Sequence, residues 1–156
     1  MELKAYMVRL LWYKNWKKLE APYNTQQIYT IIKEAFDTAY AEKHRKVIFM
    51  SSGGSERPGT LVAIAFCLEL LRRHFSVNVP NIVDYLRSKR ANCVGSPVQY
   101  LCIYRILLEE AVRCNLLKTR TRKGPQDQHN LFYRRYLFFM ARYMKIVPKD
   151  VNAEYS

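Results

Sequence analysis

A short apolar run, Val47-Ile-Phe-Met50, stops at Ser51-Ser-Gly-Gly-Ser-Glu-Arg-Pro-Gly59, and Thr60 to Phe75 then carries apolar residues on every side. This order predicts a strand over Lys46 to Met50, a Gly-rich turn, and a buried helix. Few local arrangements satisfy it. Gly53 and Gly54 permit the dihedrals that turn successive amides inward. The helix start adds partial positive charge to that bend, which makes it a natural anion cradle. Arg57 offers a planar fork suited to phosphate. The bland alternative is an ordinary surface turn, and the Gly-Gly-x-x-Arg pattern is compatible with both.

The rest of the chain reads as one more strand and several helices. Leu3 to Trp12 has strand character. In Thr25 to Ala41 the residues Ile28, Ile31, Ile32, Ala35, Phe36 and Ala39 recur at helical spacing, with Thr25 as the expected N-cap. Pro80 to Arg90 predicts a helix with Pro at an early position. Pro97 to Leu117 predicts a long one, with Val98, Leu101, Cys102, Arg105, Leu108 and Val112 on one face. The order implies an α/β fold with few strands, a Gly-rich phosphate-type loop leading into a helix, and a helix-rich C-terminal half. Two strands are few for a stable sheet.

Composition narrows the class. Of 156 residues, 49% are hydrophobic and 13% aromatic, which excludes a disordered chain. The length suits a single domain able to bury about 70% of its unfolded surface. The longest apolar stretch, Leu61 to Leu68, is too short to span a bilayer. Ala5 to Tyr13 is interrupted by Arg9 and lacks a secretory cleavage pattern. Cys67, Cys93, Cys102 and Cys114 show neither Cys-x-x-Cys spacing nor paired histidines, so neither a metal site nor a disulfide framework is expected. Cys67 and Cys102 fall in apolar helical patterns and read as small core residues. The expected location is intracellular, in the cytoplasm, and no cofactor is expected.

The net charge is +13. Between Arg113 and Lys149 ten basic residues face one acidic residue, Asp127, so this stretch carries +9 of that total. The basic run Lys118 to Lys123, with Arg120 and Arg122, precedes Gly124-Pro125 and reads as a linker. Leu131 to Met144 then interleaves aromatics with arginines, Arg134 and Arg135 among them, at helix-compatible spacing. A domain over 1–117 and a basic linker with an aromatic, basic helix over 118–156 are the expected divisions. The basic partner surface expected from Arg120, Arg122, Lys123, Arg134 and Arg135 suits nucleic acid, anionic lipid or an acidic protein. The alternative is a helix that docks its apolar face and leaves its arginines solvated.

The segment Val47 to Ile64 resembles the signature of the protein-tyrosine phosphatases, in which a strand leads to His-Cys-Ser-Ala-Gly-x-Gly-Arg-[Ser/Thr]-Gly-Thr and a helix. Aligned on Arg57-x-Gly59-Thr60, the family's nucleophilic cysteine falls on Ser51 and its preceding histidine on Met50. Tyr13 to Pro22 is similar to the family's Trp-Pro-Asp loop, with Trp16 kept and Lys17-Lys18 in place of Pro-Asp. Leu86-Arg-Ser-Lys-Arg90 and Val94-Gly-Ser-Pro-Val-Gln-Tyr100 are similar to the Leu-Arg-x-x-Arg and Val-Gln-Thr-x-x-Gln-Tyr segments. The resemblance runs from about Arg9 to Cys114 and corresponds to the C-terminal half of a typical tyrosine-specific domain.

The resemblance implies a phosphate loop over Ser51, Ser52, Gly53, Gly54, Ser55, Glu56 and Arg57, supported by Trp16 and Gln99. It also implies that three chemical slots are altered. Ser51 replaces a thiol, and an unassisted hydroxyl is a poor nucleophile. Lys18 replaces the acidic proton donor. Gly95 replaces the glutamine that positions water. Glu56 stands where the family has glycine and adds a carboxylate to the cradle, unless it pairs with Arg57 or points outward. The expected function is therefore a catalytically inactive, phosphatase-like binding module for a phosphotyrosine protein or another regulatory protein. Residual hydrolysis through Ser51, or a role for the basic tail in binding nucleic acid or anionic membrane, are the alternatives. The pattern specifies no oligomeric state.

Overall fold

The computed structural model describes residues 7–41, 46–116, 131–132 and 134–139. Four helices are built in chain order: α1 Thr25–Ala41, α2 Glu56–Arg72, α3 Val79–Lys89 and α4 Pro97–Arg113. Helix α2 packs on α4 and α3, and α1 packs on α4. The starts of α2 and α4 meet where Thr60 Oγ1 approaches Gln99 Oε1 at 3.5 Å. Their ends meet where Arg72 faces Glu110, so the two helices run side by side in one direction.

The core is the seam between these helices. Ala63, Ile64, Cys67 and Leu68 from α2 meet Val98, Cys102, Ile103 and Ile106 from α4, with Ile28 and Ile32 from α1 and Val83 from α3. Cys67 and Cys102 are the core residues their pattern predicts, and burial pushes both thiols up to about 12. Gly59 permits the closest approach in this layer. A Cβ there would lie 2.8 Å from Cys93 Cβ and 2.9 Å from its Cα, so α2 docks on that backbone only because residue 59 has no side chain.

The helices expected from periodicity are present, with shifted ends. Helix α2 begins four residues before the predicted Thr60, because Pro58 at the third helical position removes an amide that has no intrahelical partner anyway. Thr25 is not the N-cap of α1. Asn24 Oδ1 accepts from Gln27 N at 3.0 Å, whereas Thr25 Oγ1 donates to Glu109 Oε2 at 2.8 Å across to α4. Helix α4 ends at Arg113, and its buried face includes Gln99, Ile103, Ile106, Glu110 and Ala111. The predicted stripe is rotated, because α4 is covered by both α1 and α2.

The expected α/β character is not seen among the described residues, which contain no strand. Residues 7–17 and 46–50 have no regular structure. Met7, Val8, Leu10 and Trp12 are all exposed, so this stretch does not alternate as a half-buried strand does. Arg9 pairs with Glu34 and approaches Thr38 on α1. In residues 46–50 the alternation is real: Val47 and Phe49 are half-buried while Ile48 and Met50 are exposed. Extended backbone still needs a ladder partner to become a strand, and none is described.

The helical positions 131–132 and 134–139 favour the docking alternative for the aromatic, basic segment. Tyr136 is buried with the Arg105 guanidinium 5.3 Å from its ring centre, and Phe139 packs against the core. Arg134 and Arg135 are exposed. Arg120, Arg122 and Lys123 lie outside the described residues, as does the expected division at 117/118. No described helix is long and apolar enough to cross a membrane.

Candidate functional site

Three segments converge at the start of α2. The chain turns sharply at Ser51–Ser55, where Gly54 (φ 66°) lies in the left-handed region that glycine enters without a Cβ penalty. Gly54 N donates to Ser51 O at 3.1 Å and to Ser51 Oγ at 3.2 Å. Ser55 occupies the N-cap position of α2 but makes no side-chain cap bond. A second turn brings Lys17 to Glu20 alongside. Trp16 is buried, and its Nε1 donates to Glu20 O at 2.5 Å.

Arg57 joins these two turns. Its Nη1 donates to Trp16 O at 2.7 Å and its Nη2 to Ser52 Oγ at 2.9 Å. Trp16 therefore takes part in two bonds: its indole donates to the Glu20 carbonyl, and its own carbonyl accepts from Arg57. Lys18, Ser51, Ser52, Gly53, Glu56 and Arg57 line one cavity of about 260 Å³.

The third segment lies behind the loop. Ser96 caps α4 by accepting from Gln99 N at 3.2 Å, and its hydroxyl donates to Leu19 O at 2.6 Å. One serine therefore ties α4 to the Lys17–Glu20 turn. Gln99 is fully buried, and its Oε1 accepts from Gly95 N at 2.9 Å. Arg87 Nε and Nη2 donate to the carbonyls of Cys93 and Val94 at 3.1 and 3.0 Å. They hold Val94 at φ 58°, a conformation that costs a β-branched residue about 1–3 kcal/mol.

That constrained turn fixes the relation between two positions that the sequence treats as separate changes. A Cβ on Gly95 would sit 2.6 Å from Glu56 Cγ and 3.1 Å from Glu56 Cδ. The Glu56 side chain thus lies across Gly95, in the volume that any side chain at 95 would need. Arg57 directs its two terminal nitrogens to Trp16 and Ser52 rather than to Glu56, so the expected alternative of a Glu56–Arg57 pair does not occur.

The slots for proton transfer are equally concrete. Ser51 Oγ accepts from the Gly54 amide. Of the described residues only His74 carries an imidazole, and it lies just past the C-terminal end of α2. Seventeen helical residues at about 1.5 Å each put it about 25 Å from the loop. Lys18 lines the same cavity as Ser51. Sequence reasoning assigned no role to Arg87 or Ser96. Ser96-Pro97 does carry a signal, since serine before proline marks a helix start, but its bond to Leu19 follows only from the tertiary fold.

A sequence model of the protein-tyrosine phosphatase family matches residues 2–109. The tyrosine-protein phosphatase 69D of Drosophila melanogaster is 33% identical over 97 residues, which cover 62% of this chain and 7% of that protein. The chain therefore spans a small part of this relative's length. The matched region contains the turn that follows Trp16 and the 51–57 loop, which line the cavity, and the 94–99 turn behind them, and by this match over more than half its length the chain belongs to the protein-tyrosine phosphatase family.

Proposed function

We propose that this chain is a catalytically inactive, intracellular member of the family that acts as a regulatory binding module for a protein partner. The single observation that carries the reading is the composition of the cavity. Arg57 lines it together with Ser51 and Lys18, which on the alignment to the family's motifs stand in place of the nucleophile and the acid, as Gly95 behind the loop stands in place of the water-positioning glutamine. A serine hydroxyl needs a base to attack phosphorus, and the nearest described imidazole is a helix length away. A cationic side chain beside the leaving oxygen is poorly matched to giving up a proton. The bonds that tie the surrounding turns do not share this loss: Arg57 donates to Trp16 O, Ser96 donates to Leu19 O, and Gln99 accepts from Gly95 N within its own turn.

The test is hydrolysis of an aryl phosphate by the purified chain. No turnover above background is expected, and no phosphoserine should be trapped at Ser51. Turnover that persists through repurification and disappears in Arg57→Ala would overturn the reading in favour of a serine-dependent phosphatase. The exposed Arg134 and Arg135 favour a contribution of the basic segment to partner affinity. Binding to an acidic partner should then weaken steeply as salt rises. Comparable salt-dependent binding to duplex nucleic acid or anionic vesicles would instead favour those partners.

A further inference from the structure

The run Val47-Ile-Phe-Met50 is apolar at every position, the pattern of a strand covered on both faces rather than one. The fold covers one. Val47 and Phe49 are half-buried, and Phe49 packs against the core, whereas Ile48 and Met50 on the opposite side are 78% and 76% exposed. The backbone is unclaimed as well. Among the described residues no backbone hydrogen bond reaches 46–50, and an extended edge with free N–H and C=O groups is a template for a further strand. Residues 7–12 do not fill that place. Arg9 ties them to α1, and Met7, Val8 and Leu10 are themselves exposed.

The charge at the two ends of this run decides which occupant fits. In the sequence Lys43, Arg45 and Lys46, after a single Glu42, lead into it, and beyond it the loop cavity sets Lys18 and Arg57 against Glu56. Both ends are basic. A second copy of this chain, pairing through the same run, would bring a basic end beside a basic end in either strand direction. Each copy also carries +13, and a net charge of that size keeps chains apart. An extended segment of another protein, with apolar alternate residues and acidic flanks, meets the opposite conditions on both counts.

We propose that residues 46–50 are a docking edge for an extended, acidic-flanked segment of a partner protein, which adds to them as a β-strand and sets apolar side chains beside Ile48 and Met50. The proposal goes beyond the reading of the cavity and does not depend on any ligand binding there.

The probe is a synthetic peptide with a Val-Thr-Val-Thr-Val core and glutamates at both ends, titrated calorimetrically into the full chain. It should bind, and amide exchange at residues 47–50 should be fast in the free chain and slowed in the complex. Methylating the core nitrogens of the peptide removes its ladder donors and should weaken binding by on the order of tenfold or more. Replacing the glutamates by lysines should weaken it by on the order of tenfold or more. Ile48→Pro removes an amide that has no backbone partner among the described residues, so thermal unfolding should match wild type while peptide binding falls by on the order of tenfold or more. The peptide series on wild type decides the outcome even if this variant fails to fold. Failure of the glutamate-flanked peptide to bind overturns the proposal. Equal binding of the lysine-flanked peptide removes the acidic partner, and equal binding of the methylated peptide removes the strand, so either overturns it. Amides already protected in the free chain, or a dimer in sedimentation that Ile48→Pro dissolves, mean that the edge is filled by this chain or by a second copy, and also overturn it. Turnover of an aryl phosphate, the test of the cavity reading, is independent of each of these outcomes.

Discussion

The two ends of the α2–α4 pair treat charge in opposite ways. At the far end, the Glu110 carboxylate is buried and saturated. It accepts from Arg113 Nε and Nη2 at 2.8 and 2.6 Å, from Tyr29 OH at 3.1 Å and from Cys114 Sγ at 3.4 Å. Arg113 Nη2 also donates to Tyr29 OH at 2.5 Å. Glu110 and Arg113 partner each other there within the fold. At the loop end, Arg57 is tied to two turns, yet it shares an open cavity with Lys18 and Glu56. Glu56 rests on a glycine. The difference separates a closed polar network that joins α1 and α4 from one that borders an open cavity, and it makes substitutions at the two ends diagnostic.

The largest stability effect is expected at the loop end, from Gly59→Ala. The new methyl would meet Cys93 Cα and Cβ at under 3 Å, and a backbone atom can yield only if α2 lifts from the 93–95 turn. Overpacking of this kind costs about 1–3 kcal/mol, and the upper part of that range applies because the obstructing atoms are not a flexible tip. Thermal unfolding would read the loss. A variant as stable as wild type would show that α2 does not sit this close to Cys93, and the contact between Glu56 and Gly95 would then be in doubt as well.

Next comes Glu110→Gln at the far end, with an expected loss of about 2 kcal/mol as charge-assisted bonds become neutral ones. Arg113 is half-exposed, so solvent screening keeps the effect below that of a fully buried pair. The pH dependence carries a definite sign. Burial pushes the Glu110 carboxyl up, but hydrogen bonds from Arg113 and Tyr29 outweigh it and hold the group below its ordinary 4.5. A carboxyl depressed in the folded state contributes stability that is present above the unfolded value and is lost as pH falls through the folded one. Wild type should therefore lose stability below about pH 4.5, and Glu110→Gln should flatten that part of the curve. Ligand binding at the loop end should be unchanged in this variant, which is the property that distinguishes the two networks.

The helix start between these networks is also informative. Asn24→Ala removes the side chain that caps α1 and should cost about 1 kcal/mol. Thr25→Ser retains the hydroxyl bonded to Glu109 and should cost less. The sequence points to a cap here but misplaces it by one residue, because Asn and Thr are both good caps and the choice depends on Glu109, 84 residues away. The helices themselves were legible in apolar spacing and in the prolines at 80 and 97. The strands were not: alternation in Val47 and Phe49 reports which side chains face the core, but a ladder needs a partner that no local pattern supplies. The loop and the Trp16 turn were legible as family motifs. Their coupling through Arg57, and the contact of Glu56 with Gly95, join positions up to 41 residues apart and emerge only from packing.

The smallest effect on stability is expected from Gly95→Ala, the same chemical change as Gly59→Ala. Here the new Cβ meets Glu56 Cγ at 2.6 Å, an atom of a flexible stem on a half-buried side chain. Rotation of that stem relieves the clash, so the cost should stay within about 0.5 kcal/mol, the range usual for positions outside a rigid core. Two glycine-to-alanine variants should thus separate clearly in thermal unfolding, with the change at 95 close to wild type and the change at 59 far below it. Equal losses would mean that Glu56 is held as rigidly as backbone, and its carboxylate would then belong to a closed structural turn rather than to a cavity open to a ligand.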